Sequence, residues 1–253
     1  MEEKNPIQVA DRLFLVLETL AEEGPTALMD LSRMLDLHKS TVHRLLNSLI
    51  FLGYVNQDVE TGKYQLTFKL CELSNKILSR MDILDQVRPY LRKLADLTGE
   101  TVHFVQLDGT DAVYIYKEES LQNSVRMVSK VGSRIPLYCS AVGKAMLADM
   151  PREQADAIWQ KSHIRALTEH TITNYSDFIY TLEEGRQQGY SLDNEENEIG
   201  VRCIAVSLPD YKGRAKYAIS ISAPVNRMTD SRIQSLSHTL LDIRQQIMEH
   251  QGL

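Results

Sequence analysis

The chain has 253 residues, 43% of them hydrophobic, with 28 Lys plus Arg against 34 Asp plus Glu and a formal net charge of −6. That length holds a small domain plus a larger one, and the mixed charge indicates a soluble globular protein. No apolar run approaches a membrane span, and no apolar signal segment follows Met1-Glu2-Glu3-Lys4. Cys71, Cys139 and Cys203 are odd in number, widely spaced and free of any CxxC pattern, so a reducing cytoplasm is the expected home.

In chain order, Val9, Leu13, Val16, Leu17 and Leu20 trace the apolar stripe of a first helix that Gly24-Pro25 stops. Leu28, Leu31 and Leu35 mark a short second helix, and Asp36-Leu37-His38 is about the length of a helix-turn-helix turn. A third helix, Lys39 to Phe51, buries Val42, Leu45, Leu46 and Leu49 at i, i+3, i+4 and i+7. Lys39, Ser40, Thr41, His43, Arg44, Asn47 and Ser48 then face outward, a short-chained polar surface able to donate to phosphates and reach base edges. After Gly53-Tyr54-Val55, the polar turn Asp58 to Gly62 and the run Lys63 to Leu66 predict a two-stranded hairpin. Three helices followed by a hairpin give the layout of a winged helix-turn-helix. Charge alone does not argue for DNA: residues 1–70 carry ten acids against seven Lys plus Arg. So few cations make for weak, salt-sensitive binding by one copy, which predicts an oligomer.

Residues 68–84 are expected to form a linker helix, with Phe68, Leu70, Cys71, Leu73 and Ile77 as an apolar face suited to a partner subunit or to plain intradomain packing. A further helix is expected around Asp85 to Leu97. From Glu100 the pattern turns α/β. Strands are predicted at Thr101 to Val105 and Ala112 to Tyr116 around Asp108-Gly109-Thr110-Asp111, and at Arg202 to Leu208 and Lys216 to Ser222 around Pro209 to Gly213. With period two, Ile204, Val206, Leu208, Tyr217, Ile219 and Ile221 share an aliphatic face that must pack on helices such as Asp230 to Glu249. Cys203, Ala205, Ser207, Ala218, Ser220 and Ser222 share the other. That second face is either solvent-facing sheet or the floor of a cavity for a small polar ligand.

Pro136 to Ala145 reads as a strand end entering a helix through small residues, where the backbone amides of Ala141, Val142 and Gly143 suit a carboxylate. The stretch Asp193 to Gly200 is an acidic loop; Asp193 can accept hydrogen bonds from ligand hydroxyls, while its later acids read as a solvated connector.

HKSTVHRLL (His38 to Leu46), LGYV (Leu52 to Val55), PLYCSAVGKAMLA (Pro136 to Ala148) and GYSLDNEENEIGVRCIAVSLPD (Gly189 to Asp210) together resemble the IclR family of bacterial transcription regulators, end to end. The resemblance implies an α+β protein: a winged helix-turn-helix over residues 1–67, a linker helix over 68–84 and a GAF-like effector-binding domain over 85–253. It implies dimers or dimers of dimers on palindromic double-stranded DNA, many members being repressors released by a small organic acid. Carried over to this chain, the family's effector pocket takes Ala141 and Val142 with Asp193, Cys203, Ser220 and Ser222; Val142 is bulkier than the pattern and narrows the pocket or redirects the ligand. VYIYK, LYCSAVGK and DNEENEIGVRCIAV look most like regulators of pectin and 2-keto-3-deoxygluconate breakdown, which implies a sugar-acid or keto-acid effector. The expected DNA contacts are Lys39, Ser40, Thr41, His43, Arg44 and Asn47 in the major groove, with Lys63 of the wing on the backbone. Neither a metal nor a further cofactor is expected.

An activator of the same family is an alternative to a repressor, and two readings outside the family compete. A GAF-like enzyme would use Cys139 or Cys203 as a reactive thiol, although no general base is evident beside either. A metal sensor would use His163, His170 and a cysteine, but that spacing matches no zinc motif.

Overall fold

The computed structural model describes residues 5, 7–78, 82–119, 127–210 and 212–251. It divides into two compact units, Met1–Met81 and Asp82–Leu253.

In the first unit, α1 (Gln8–Glu23), α2 (Leu28–Met34) and α3 (Lys39–Phe51) precede a hairpin of β1 (Val55–Gln57) and β2 (Tyr64–Leu66), and α4 (Lys69–Leu78) follows. The periodic leucines do what their spacing demands: Val16, Leu20, Leu31, Val42, Leu45, Leu46 and Leu49 are buried with Val55 and Tyr64, and Leu28 and Leu35 pack against them. Val9 departs from the expected stripe: it stays 56% exposed and lies outside this core. Gly53 takes φ +79°, a left-handed conformation that ends α3 at little cost only for glycine. Lys69 Nζ donates to the Leu52 carbonyl at 2.5 Å, placing a cation at the negative end of α3. The hairpin is pinned to the start of α2 by a reciprocal backbone pair between Thr26 and Tyr64, both bonds 2.9 Å.

The second unit opens with α5 (Asp82–Thr98), so residues 82–84, expected in the linker, begin this helix instead; residues 79–81 of that expectation lie outside the described residues. There follow β3 (Thr101–Asp108), β4 (Asp111–Glu118), β5 (Arg134–Pro136), α6 (Ala141–Ala148), α7 (Arg152–Lys161), α8 (Tyr175–Gln188), β6 (Ser191–Asn194), β7 (Val201–Pro209), β8 (Ala215–Pro224) and α9 (Asp230–Gln251). The strands form one antiparallel six-stranded sheet in the order β5-β4-β3-β8-β7-β6. Two helices, α5 and α9, cover its aliphatic face, where Phe104, Ile204, Val206, Ile219 and Ile221 are fully buried. On the opposite face α6 lies against β6, β7 and β8. Gly143 lets α6 fold closely back on the segment that follows β5: a Cβ there would fall 2.2 Å from the Leu137 carbonyl oxygen. Across β7 and β8 the register sets Cys203 opposite Ser222, Ala205 opposite Ser220 and Ser207 opposite Ala218, so the small-residue face predicted from period two exists and is roofed by a helix.

Candidate functional sites

In the first unit, α3 presents Lys39, Ser40, His43, Arg44 and Asn47 to solvent, with Thr41 half-buried. Among the described residues, their side chains meet one another through Asn47 Nδ2 and His43 Nδ1 at 3.4 Å. The rest of this polar surface is open to a partner. An open cleft of about 800 Å³ lies between the start of α3 and the wing, lined by His38, Lys39, Ser40, His43 and Gln57 among others. The Asp58 carboxylate shapes the wing tip by accepting from the Thr61 amide at 2.7 Å and hydroxyl at 2.8 Å, which holds its pKa below the usual range. Lys63 stands exposed just beyond that turn.

In the second unit, the roofed face gathers the residues singled out in sequence. Cys203 pairs in register with Asp193 on one side and Ser222 on the other, and Ser220 pairs with Ala205 and with His103. Asp193, Ser220 and Ser222 are buried and Cys203 is nearly so; Ala141 and Val142 are buried at the start of α6. Ser140 caps that helix, its Oγ accepting from the Gly143 amide at 3.2 Å and donating to the Pro136 carbonyl at 2.6 Å. The Gly143 N–H is thereby occupied. The Ala141 and Val142 amides have no partner among the described residues, so two buried donors remain at the positive end of a helix. The Asp193 carboxylate accepts from the Glu196 amide at 2.8 Å; burial, only partly offset by Lys144, lifts its pKa to about 7.

Four residues of this region were not singled out by sequence. His103, on β3, is buried; its Nδ1 faces Ser220 Oγ at 3.4 Å and Ser222 Oγ at 3.3 Å, and burial followed by the Lys117 charge brings its pKa down to about 3. Tyr114 packs on it with ring centroids 4.9 Å apart, and burial pushes its phenol up. Lys144 and Glu196 form an ion pair with side chains only 3% and 4% exposed. Glu196 thus corrects the reading of that loop's later acids as a solvated connector: Thr171 Oγ1 holds its carbonyl at 2.6 Å and turns the side chain inward. A signal for Lys144 was present, since a lysine inside the otherwise apolar AVGKAMLA helix needs a buried counter-charge.

The thiol chemistry does not suit catalysis. Burial raises the Cys139 pKa to about 12 and raises Cys203 as well, so both stay protonated at neutral pH. His163 and His170 are exposed, and no three His, Cys, Asp or Glu side chains gather into a possible metal site among the described residues. No helix among the described residues is long and apolar enough to cross a membrane.

A helix-turn-helix unit with an exposed polar second helix, in one chain with a separate α/β unit that has a roofed polar face, defines a DNA-binding regulator. Residues 9–59 match the IclR helix-turn-helix domain, and residues 75–249 match the bacterial transcriptional regulator IclR C-terminal domain. The chain is 39% identical to the HTH-type transcriptional regulator KdgR of Escherichia coli (strain K12), over 92% of its own length and 89% of that protein. It is 37% identical to the DNA-binding transcriptional repressor YiaJ of the same organism, over 89% of this chain and 80% of that one. The crystal structure of the Thermotoga maritima IclR superposes with a TM-score of 0.82 at 30% identity, covering 96% of this chain and 98% of that one. The chain belongs to the IclR family of bacterial transcriptional regulators. It is a regulator and not an enzyme, which sets aside the thiol-enzyme reading.

Proposed function

We propose that this protein is an effector-gated repressor of a carbohydrate or sugar-acid catabolic operon. Its operator affinity would be altered by a small keto or sugar acid such as 2-keto-3-deoxygluconate. The observation that carries the reading is the roofed face, where two unpaired helix-terminal amides, at Ala141 and Val142, accompany the hydroxyls of Ser220 and Ser222 and the carboxyl of Asp193. A carboxylate suits the amides, and a polyhydroxylated body suits Ser220, Ser222 and Asp193, with Cys203 as packing between them. Gly143 contributes the close helix approach, its own amide being capped by Ser140.

On DNA, α3 enters the major groove with Lys39, Ser40, Thr41, His43, Arg44 and Asn47, while Lys63 of the wing meets the backbone. The working form is a homodimer or dimer of dimers on a palindromic operator. Phe14, Phe51 and Phe68, at 63%, 90% and 84% exposure, leave large apolar surface on the first unit for a second copy. In this reading residues 1–67 read DNA, 68–84 link and 85–253 sense the effector, the first turn of α5 serving as the end of the linker. Effector binding changes operator affinity only by favouring one dimer geometry over another.

The test is fluorescence anisotropy of the protein on labelled DNA from upstream of its own gene and neighbouring genes, across a salt series and with a panel of keto and sugar acids. Tight, salt-sensitive binding that one acid weakens is the expected result; no preference over random DNA with any acid sinks the proposal. Arg44→Ala should cost operator affinity about tenfold or more while leaving acid binding intact, since an exposed arginine on this helix is placed for base or phosphate contact.

A further inference from the structure

Ser129 and His103 link the proposed effector face to the backbone segment beside it. His103 Nε2 lies 2.6 Å from Ser129 Oγ, and its Nδ1 lies between Ser220 and Ser222. Ser129 is itself held in place: Lys117 Nζ donates to the Ser129 carbonyl at 3.0 Å and to the Met127 carbonyl at 2.6 Å. The imidazole is enclosed on β3 and packed against Tyr114 at a tilt of 58° between the rings. A neutral imidazole has one N–H and one lone pair, so its two edges must play opposite roles.

The choice of tautomer decides what the face can recognise. With the proton on Nε2, the single Nδ1 lone pair engages a serine proton, so the two hydroxyls cannot both donate to a ligand. With the proton on Nδ1, that single N–H is shared between two serine oxygens, and both serine protons point elsewhere. The distances favour the second case. A 2.6 Å contact falls in the range of an O–H donor and is short for an N–H donor, whose usual length is about 2.9 Å, while one N–H shared by two acceptors makes long contacts like the pair at 3.3 and 3.4 Å.

We propose that Ser129 donates its hydroxyl proton to His103 Nε2 and fixes the Nδ1–H tautomer, making Ser220 and Ser222 paired O–H donors that select a ligand oxygen able only to accept. That oxygen is the keto or carboxylate oxygen of a small acid, and the site thereby prefers a 2-keto acid to its 2-hydroxy counterpart. Ser129 and His103 are positioning residues, acting through the two serines. The proposal rests on the effector reading above, but its first test does not need a ligand.

The tautomer is read from long-range ¹H–¹⁵N correlations of the histidine rings in the full-length protein. His103 is recognisable without mutation because it is the buried one; the other six histidines are exposed. The expected spectrum has Nδ1 protonated, with Ser129→Ala shifting population toward Nε2–H and Ser129→Thr restoring the original pattern. In calorimetry, Ser129→Ala should bind 2-keto-3-deoxygluconate about tenfold more weakly and lose its preference over the 2-hydroxy reduction product, again with rescue by Thr. Unchanged operator binding by both variants shows that the fold is intact. An Nε2–H tautomer in the wild type overturns the proposal, and so does a Ser129→Ala variant with unchanged tautomer. A wild type that binds no such acid removes the effector assignment alone, and the tautomer still decides the relay.

Discussion

His103 and Asp193 carry shifted pKa values of opposite consequence. His103 falls from the usual 6.5 to about 3, so its contribution to stability is present above pH 6.5 and is lost as pH falls toward 3. Asp193 rises from 3.8 to about 7, so its contribution is present below pH 3.8 and is lost as pH rises through 7. Between pH 3.8 and 6.5 the two slopes are equal and opposite, each about 1.4 kcal/mol per pH unit at most. Asp193→Asn removes one of them. That variant is expected to lose stability on acidification from pH 6.5 to 4 more steeply than the wild type, measured by urea denaturation across the pH series; parallel curves would show that the pair is not buried as described. Gly143 is constrained by contact alone. Gly143→Ala drives a Cβ into the Leu137 backbone, with neighbours at 2.2, 2.3 and 2.5 Å, and backbone cannot rotate aside. A loss of about 3 kcal/mol or more is expected in the same assay.

At the scale of elements, α6 is held to the sheet by more than apolar packing. Its Lys144 meets Glu196 from the loop between β6 and β7, and the Glu196 carbonyl is fixed by Thr171 in the segment leading to α8. The ion pair therefore ties three pieces of chain together beside the proposed effector face. Removing one partner leaves an uncompensated buried charge, so Lys144→Met is expected to destabilise by about 3–5 kcal/mol. Adding Glu196→Gln to it should recover much of that loss, because the amide needs no counter-ion; thermal and urea unfolding of the two variants give the comparison. In the other unit α3 was legible to the residue, since its four buried positions and its exposed polar set both follow from a 3.6-residue period.

For the whole molecule, the sparse positive charge of the DNA-reading unit leads us to expect more than one copy on the operator. One copy would neutralise few phosphates, and two copies held at half-site spacing would supply the missing affinity. Sedimentation of the protein, whose chain mass is 28.8 kDa, is expected to give a dimer or a tetramer at micromolar concentration. Phe51→Ser with Phe68→Ser should shift that equilibrium toward the monomer and weaken operator binding, without touching acid affinity. A monomeric wild type with full operator affinity would contradict the oligomer argument.

The sequence by itself determined the helix-turn-helix, the wing and the two faces of the β7–β8 hairpin, because these depend on periods of 3.6 and 2 and on turn residues that act within a few positions. It also named Cys203, Ser220 and Ser222, which lie on strands whose alternation can be counted, whereas Asp193, read as the start of a loop, proves to sit on β6. Tertiary structure alone decided that β3 pairs with β8, and hence that His103 stands beside Ser220 and Ser222 from 117 and 119 positions away in the chain. It decided equally that Glu196 turns inward to Lys144 across 52 positions. Periodicity assigns a side chain to a face; which strand lies alongside, and which buried charge finds its partner, follows from the sheet order and from the cost of leaving polar groups unpaired away from water.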